Sequence, residues 1–151
     1  MSLWILDTDS VSLFQRRHPF VCQRVSIVNL EEIAITIITV EEQLRRRLNI
    51  VRQASSINEL VSAYTKLKAT LNYISNNRVL DFSQNAATCY AELLRQKIRI
   101  GKQDLRITAI ALSVNGILVT RNQKDFIKVP NLMFEDWTIE SNKKIDLHVN
   151  N

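Results

Sequence analysis

Four acidic side chains occupy positions from which they could act together on one reacting group. Asp7 directly follows the apolar run at residues 3–6, which is typical of a strand buried on both faces. Glu42 lies in the first turn of the helix expected after a second strand, Asp104 opens an apolar helix, and Asp125 follows a fourth strand. Ligands of parallel sheets bind at the carboxyl ends of the strands, so we expect these acids to meet at one edge.

Carboxylates that converge in this way repel one another, and a hard cation removes the repulsion. A set of ligands made only of oxygen atoms suits Mg²⁺ or Mn²⁺. Such a cation can lower the pKa of bound water and can neutralise charge on a phosphate. The chemistry that this arrangement predicts is hydrolysis of a phosphodiester bond.

Each acid also has a purely structural interpretation. Asp7 could belong to a capping turn, and Glu42 could complete a capping box with Thr39. Asp104 could be a helix N-cap, and Asp125 a turn residue. The two roles are compatible, because a capped helix start holds a ligand rigidly. The functional interpretation is favoured because four separate segments place acids at one expected edge.

The elements that must position these acids alternate between strand and helix. Strands are predicted at residues 3–6, 33–36, 79–82 and 117–120, with a short final strand around 134–138. Helices are predicted at 7–17, from 19, at 39–54, from 56, from 83 to 101, and from 104 to 115. This alternation predicts a parallel sheet covered by helices on both faces.

The two helices between residues 39 and 75 are expected to form a hairpin. The second helix carries an apolar stripe at Leu60, Tyr64, Leu67, Leu71 and Ile74. One interpretation places the whole stripe in the core. The other makes its outer edge part of a groove that binds a partner helix or a second subunit, with a rim of Arg45, Arg46 and Arg52. In the next helix, the expected buried face is Ala87, Tyr90, Leu94 and Ile98.

Composition indicates one folded domain, since the 151 residues are 46% hydrophobic and 23% charged. We assign residues 1–140 to it and 141–151 to a polar C-terminal tail. The net charge of +5 is compatible with a nucleic-acid partner. No apolar run reaches the roughly 18 residues of a membrane span, and the start does not resemble a signal peptide, so we expect a cytoplasmic protein. His18 and His148 are too isolated to suggest zinc.

Five segments, in order along the chain, carry a family resemblance. They are Leu-Asp-Thr-Asp at 6–9, Ile-Thr-Val-Glu-Glu at 38–42, Asp-Leu-Arg-Ile-Thr-Ala at 104–109, the stretch 118–126, and the ending at 129–137. Together they resemble the motifs of VapC-type PIN domains. Departures occur at Gln43, at the arginines 45–47, at Thr108 and in the tail. None of them removes an expected metal ligand.

The resemblance implies a three-layer α/β/α PIN domain with a parallel five-stranded sheet. It implies Mg²⁺ or Mn²⁺ held by the four acids, supported by Asn122 and, through water, by Asp9. The implied activity is endoribonuclease cleavage of RNA, often of structured RNA such as transfer RNA. Arg121 and Lys124 are candidates for holding the RNA backbone. A homodimer and a VapB-like antitoxin that fills the active-site groove are also implied.

Two alternatives to a toxin ribonuclease remain open. The first is a PIN-domain nuclease that acts in RNA processing outside toxin systems, which the chain's size and lack of extra domains disfavour. The second is a non-catalytic interaction protein with a PIN fold, which the intact acidic set disfavours. A gene for a small DNA-binding protein directly upstream would distinguish a toxin from an RNA-processing nuclease. Metal titration would distinguish a ribonuclease from a non-catalytic protein, which need not bind Mg²⁺.

Overall fold

The chain is described by a computed structural model that covers residues 2–140 and the short strand at 148–149. The polar tail expected at 141–151 lies outside the described residues, apart from the backbone of that strand.

Cys22 and Cys89 are half-buried free thiols. Among the described residues, no helix combines the length and apolarity needed to cross a membrane.

One sheet runs through the molecule in the order β3-β2-β1-β4-β5-β6. Its strands are β1 (Trp4–Leu6), β2 (Ile33–Thr36), β3 (Arg78–Leu80), β4 (Ile117–Val119), β5 (Met133–Glu135) and β6 (His148–Val149). The first five are parallel, which confirms the predicted five-stranded sheet. The antiparallel β6, which the sequence did not predict, extends the edge beside β5.

Helices cover both faces of this sheet, as predicted. They are α1 (Thr8–Gln15), α2 (Pro19–Ile27), α3 (Ile37–Gln53), α4 (Ile57–Ser75), α5 (Gln84–Arg95), α6 (Lys102–Ser113) and the short α7 (Gln123–Phe126). Successive residues of β1 point to opposite faces, so Ile5 packs in the core under α5 and α6, and Leu6 in the core under α1 and α2. The predicted three-layer α/β/α architecture is therefore confirmed.

Helix α3 begins earlier than predicted. Its N-cap is Thr36, the last residue of β2, whose hydroxyl accepts a hydrogen bond from the Thr39 amide at 3.2 Å. The predicted capping box between Thr39 and Glu42 is wrong, because the chain is already helical at Thr39. Glu42 consequently lies in the second turn of α3 rather than in the first.

The region between α5 and α6 also differs from the prediction. Helix α5 ends at Arg95, six residues before Gly101, and Lys97 just beyond it has a left-handed φ of 56°. Gly101 is instead the N-cap of α6, so Asp104 lies inside the first turn and is not a cap. The buried face of α5 centres on Ala86 and Leu93, and Leu94, expected in the core, is 52% exposed.

The apolar stripe of α4 is mostly outside the core. The buried residues of this helix are Ala63 and Thr70. Leu60, Tyr64 and Leu71 are 40%, 54% and 45% exposed, respectively. The interpretation that placed the whole stripe in the core is therefore wrong. Helix α4 packs through the neighbouring face, with Ala63 and Thr70 buried and Ile74 partly buried against the core, so Leu60, Tyr64 and Leu71 leave an apolar surface open.

A buried ion pair fastens α2 to the edge of the parallel sheet. Arg24 of α2 pairs with Glu135 at the end of β5, and both side chains are almost fully buried. The Arg24 guanidinium also lies 5.6 Å from the centre of the Trp137 ring. These contacts hold α2, and with it the helical layer that α1 and α2 form, against β5.

Candidate active site

Asp7 leaves the end of β1 and enters the first turn of α1. Its Oδ1 accepts a hydrogen bond from the Ser10 amide at 2.8 Å, so Asp7 is the N-cap of α1. The Ser10 hydroxyl donates to the Val119 carbonyl at 3.0 Å, which ties this turn to the end of β4. Burial raises the pKa of Asp7, against the opposing effect of hydrogen bonds from Thr120 and Ser10. The capping role is therefore real, and it holds the carboxylate rigidly at the sheet edge.

Glu42 reaches the same edge from α3. Its Oε1 accepts a hydrogen bond from the Thr8 hydroxyl at 3.0 Å, and that hydroxyl oxygen lies 3.0 Å from the hydroxyl oxygen of Thr39. The carboxylate is thus oriented by a residue that immediately follows Asp7. Asp7 follows β1, and Glu42 lies on α3, which follows β2. Both carboxylates are held by the start of α1, through the Thr8 hydroxyl and the Ser10 amide.

The electrostatics of Asp104 show how closely the acids are grouped. Burial raises its pKa to about 6, with further contributions from the negative charges of Asp7, Glu42, Asp125 and Asp9. Asp104 therefore feels every other carboxylate of the predicted set. The structure brings together at one edge acids that are up to 118 positions apart in the chain (7 to 125).

Asp125 lies on the short helix α7, which the sequence did not predict. The Asn122 side-chain amide donates to its Oδ2 at 2.9 Å, and the Lys128 ammonium lies 3.7 Å from its Oδ1. The Asn122 backbone amide donates to the hydroxyl of Thr120 at 3.0 Å, which fixes the turn after β4. The proposed supporting residue Asn122 is thus bound directly to one of the four acids.

Asp7, Glu42 and Asp104 line a cavity of about 600 Å³, and Asp125 is connected to it through its hydrogen bond with the lining residue Asn122. Its lining consists of Asp7, Thr8, Asp9, Ser12, Arg16, Glu42, Arg46, Asp104, Arg121 and Asn122. Arg16 was not predicted as a site residue, and Arg46, which was predicted on the rim of a partner groove, lines this cavity. Their only signal in the sequence was membership of the basic groups at 16–17 and 45–47, which is equally typical of solvated helix faces.

Of the two cations predicted to hold RNA, Arg121 lines the cavity and Lys124 does not. Arg121 is bound to Asp9 through two hydrogen bonds, Nε to Oδ2 at 2.6 Å and Nη2 to Oδ1 at 3.1 Å. Lys124 is exposed on α7. The role of Arg121 and of Lys124 in RNA binding stays a prediction.

The donor chemistry of the site suits a divalent cation. Within residues 2–140, no three acidic, imidazole or thiol side chains lie within ligating reach of a single point. The groups facing the cavity are nevertheless carboxylate oxygens beside an amide, which Mg²⁺ and Mn²⁺ prefer. The pKa of Asp104 is raised by burial first and then by repulsion from the neighbouring carboxylates, and a cation would relieve that repulsion.

Comparison with known proteins identifies relatives of parts of the chain, although no family model matches it. The chain is 41% identical over 69 residues to ribonuclease VapC2 of Rickettsia felis, a match that spans 43% of the chain and only 52% of that protein. It is 30% identical over 112 residues to the tRNA(fMet)-specific endonuclease VapC of Salmonella typhimurium, covering 64% of the chain and 85% of that protein.

A solved structure extends the likeness to almost the full length. The DNA-bound VapBC complex from Salmonella typhimurium contains a chain that matches with a TM-score of 0.73 at 25% identity. The match covers 91% of this chain and 99% of that one. The similarity is therefore one of the whole fold and not of a single motif.

Proposed function

Because the chain belongs to the VapC family of PIN-domain ribonucleases, we propose that it is the toxin of a toxin–antitoxin pair and an endoribonuclease that hydrolyses phosphodiester bonds. The observation that carries the proposal is the field around Asp104. Four other carboxylates act on this half-buried acid, which lines a cavity of about 600 Å³. Such a concentration of negative charge is expected at a site that binds a divalent cation.

Asp7, Glu42, Asp104 and Asp125 would hold Mg²⁺ or Mn²⁺, with Asn122 in support. Cation binding there would neutralise charge on the phosphate and favour ionisation of the attacking water. Asn122 orients Asp125 by a hydrogen bond, and Thr8 orients Glu42 in the same way. Both carboxylates are therefore fixed in orientation before a cation binds. Ligands fixed in this way would hold the cation where negative charge develops during the reaction.

The remaining walls of the cavity are suited to the substrate rather than to the metal. Arg16, Arg46 and Arg121 place three guanidinium groups around the acids. Guanidinium groups bind phosphate oxygens in pairs and would hold the RNA chain on either side of the reacting bond. Lys124, exposed nearby on α7, would extend this contact. We propose structured RNA such as transfer RNA as the substrate class, which agrees with the name of the Salmonella relative.

We further propose two protein partners. One is a VapB-like antitoxin, since the Salmonella complex is a VapBC assembly on DNA. The other is a second copy of the chain, which would form a homodimer. The exposed apolar face of α4, with Tyr64 at its centre, is the surface that we assign to such contacts. We expect the protein to act in the cytoplasm, where transfer RNA is found.

The proposal is tested by mapping RNA ends in cells after induced expression of the chain. We expect new 5′ ends at discrete positions in one class of RNA, together with growth arrest, and neither effect with Asp7→Asn. Coexpression of a small DNA-binding protein encoded next to the gene should suppress both effects. Identical RNA ends with the wild type and Asp7→Asn would contradict the proposal.

A further inference from the structure

The pairing of Asp9 with Arg121 links two segments that border the cavity. Asp9 is the second residue of α1, and Arg121 follows the end of β4. The fork of the guanidinium fits both carboxylate oxygens at once, at 2.6 and 3.1 Å. Two parallel N–H···O bonds fix the plane and the direction of the guanidinium, which a single contact would not do.

The ion pair of Asp9 and Arg121 is too exposed to contribute much to the stability of the fold. The Arg121 and Asp9 side chains are 53% and 45% exposed, respectively. Exposed ion pairs contribute little to the stability of a fold, because water and salt screen them. The consequence of the pairing is therefore positional: it keeps the Arg121 guanidinium at the border of the acidic cavity.

Arg121 retains hydrogen-bonding capacity in this position. A guanidinium carries five N–H donors, and the bonds to Asp9 use one on Nε and one on Nη2. The Nη1 group and the second N–H of Nη2 are not required for that pairing. They can therefore donate to a phosphate oxygen while Asp9 still holds the other side of the group.

The same bonds make Asp9 a poor support for a metal. Both of its oxygens already accept from a cation, whereas Asp7 accepts from neutral donors. Asp9 lines the same cavity as Asp7, Glu42 and Asp104, but the hydrogen bonds of its carboxylate go to Arg121.

We infer that Asp9 is a positioning residue that holds Arg121 as a phosphate-binding group at the mouth of the cavity, and that it does not support the metal. This inference rests on the proposed ribonuclease function and assigns to Asp9 a different role from the one implied by the family resemblance. It predicts that the two residues act on RNA binding as a unit. It also predicts that neither residue governs cation affinity.

The test is a double-mutant cycle of Asp9→Asn, Arg121→Gln and the double variant. The first measurement is the binding of fluorescein-labelled transfer RNA by the protein in EDTA, across a range of salt concentrations. We expect Arg121→Gln to weaken binding about tenfold and to lower the slope of log K against log salt by about one. Asp9→Asn should weaken binding several-fold, and the double variant should be no weaker than Arg121→Gln alone.

Two further measurements separate positioning from metal support. Calorimetric titration with Mn²⁺ should give affinities within about twofold of the wild type for Asp9→Asn. The cleavage kinetics should show a raised KM with kcat nearly unchanged. A matched control is Arg95→Gln, which breaks a similar two-bond pair with Glu92 on the exposed surface of α5 and should leave RNA binding unchanged.

Three results would overturn the inference. They are a large loss of Mn²⁺ affinity in Asp9→Asn with RNA binding intact, additive effects of the two substitutions on RNA binding, and RNA binding that neither substitution alters. Failure of the proposed function is a separate result: the wild type would bind RNA with the coupling described and yet cleave none in Mg²⁺ or Mn²⁺.

Discussion

The Thr8 hydroxyl donates a hydrogen bond to Oε1 of Glu42 at 3.0 Å and thereby joins the first turn of α1 to the second turn of α3. Thr8 immediately follows Asp7, so one short segment supplies one expected ligand and orients another. Supporting hydrogen bonds of this kind fix the direction of a ligand and raise its affinity for the metal.

We predict that Thr8→Val lowers Mn²⁺ affinity and the cleavage rate by about tenfold each, because Glu42 loses its donor while the buried volume is kept. Thr8→Ser keeps the hydroxyl and is the matched control, which should retain most of both. The measurements are calorimetry with Mn²⁺ and initial rates of RNA cleavage. Equal metal affinity in Thr8→Val and the wild type would show that Glu42 needs no such support.

The pKa of Asp104 predicts a pH dependence of stability. Folding raises this pKa to about 6, above its value of 3.8 in an unfolded chain. Between these values the folded protein binds more protons than the unfolded chain, so its stability falls as the pH rises through the window. After allowance for solvent screening, the full penalty above about pH 6 is on the order of 1–2 kcal/mol.

We therefore predict that Asp104→Asn melts a few degrees above the wild type in EDTA at pH 7.5, because the variant lacks the repelled charge. The difference should shrink as the pH falls from about 6 towards 3.8, because Asp104 is then protonated in the folded state and becomes increasingly protonated in the unfolded chain. Saturating Mn²⁺ should reverse the order, since only the wild type keeps its full ligand set. Melting curves at pH 4.5 and 7.5 measure this, and a difference independent of pH would contradict it.

The sequence was sufficient to predict the layers and the edge at which the acids meet. Strands such as β1 and β4 are short continuous apolar runs. An acid follows each of them, beyond the carboxyl end of the strand, which is where parallel sheets bind their ligands. Local patterns were weaker at helix ends. Thr36 and Thr39 are equally good caps by residue type, and only the dihedral angles at Thr36 decide between them.

Contacts between distant segments could not be read from local patterns. The pairing of Asp9 with Arg121 joins residues 112 positions apart, and nothing in the neighbourhood of either one indicates the other. The exposed face of α4 was ambiguous for a similar reason. Its apolar spacing does not reveal that the helix packs through Ala63 and Thr70 instead.

The buried pair of Arg24 and Glu135 leads to a prediction about stability. Arg24→Ala should destabilise the protein by about 3–5 kcal/mol, because it leaves a carboxylate buried without its cation. The double variant Arg24→Met with Glu135→Leu should regain most of that loss, since neither charge remains. Urea unfolding of the three proteins measures the difference. A double variant as unstable as Arg24→Ala would show that the contact of Arg24 with Trp137 is the larger contribution.

The exposed stripe of α4 predicts a separation of binding from folding. Tyr64 is 54% exposed, so Tyr64→Glu should leave the melting temperature nearly unchanged. At a protein contact the same carboxylate would be buried without a partner, which should weaken association with the antitoxin or the second subunit by a few kcal/mol. Thr65→Glu, at the neighbouring exposed position, is the matched control.

Analytical ultracentrifugation measures self-association, and a pull-down with the small protein encoded beside the gene measures antitoxin binding. An early-melting Tyr64→Glu protein whose folded fraction still binds normally would contradict the assignment of this surface. Equal losses of binding in Tyr64→Glu and Thr65→Glu would show that added negative charge, and not the apolar stripe, is responsible.

Cleavage of transfer RNA by the purified protein, in the presence and absence of divalent metal, is the most direct test of a metal-dependent ribonuclease. We predict cleavage in Mg²⁺ or Mn²⁺, none in a chelator, and recovery when either metal, but not zinc, is added back. Asp7→Asn should be inactive in every condition yet folded, because an asparagine can still accept from the Ser10 amide and cap α1. Undiminished cleavage in the chelator, or full activity of folded Asp7→Asn, would contradict the metal-dependent mechanism.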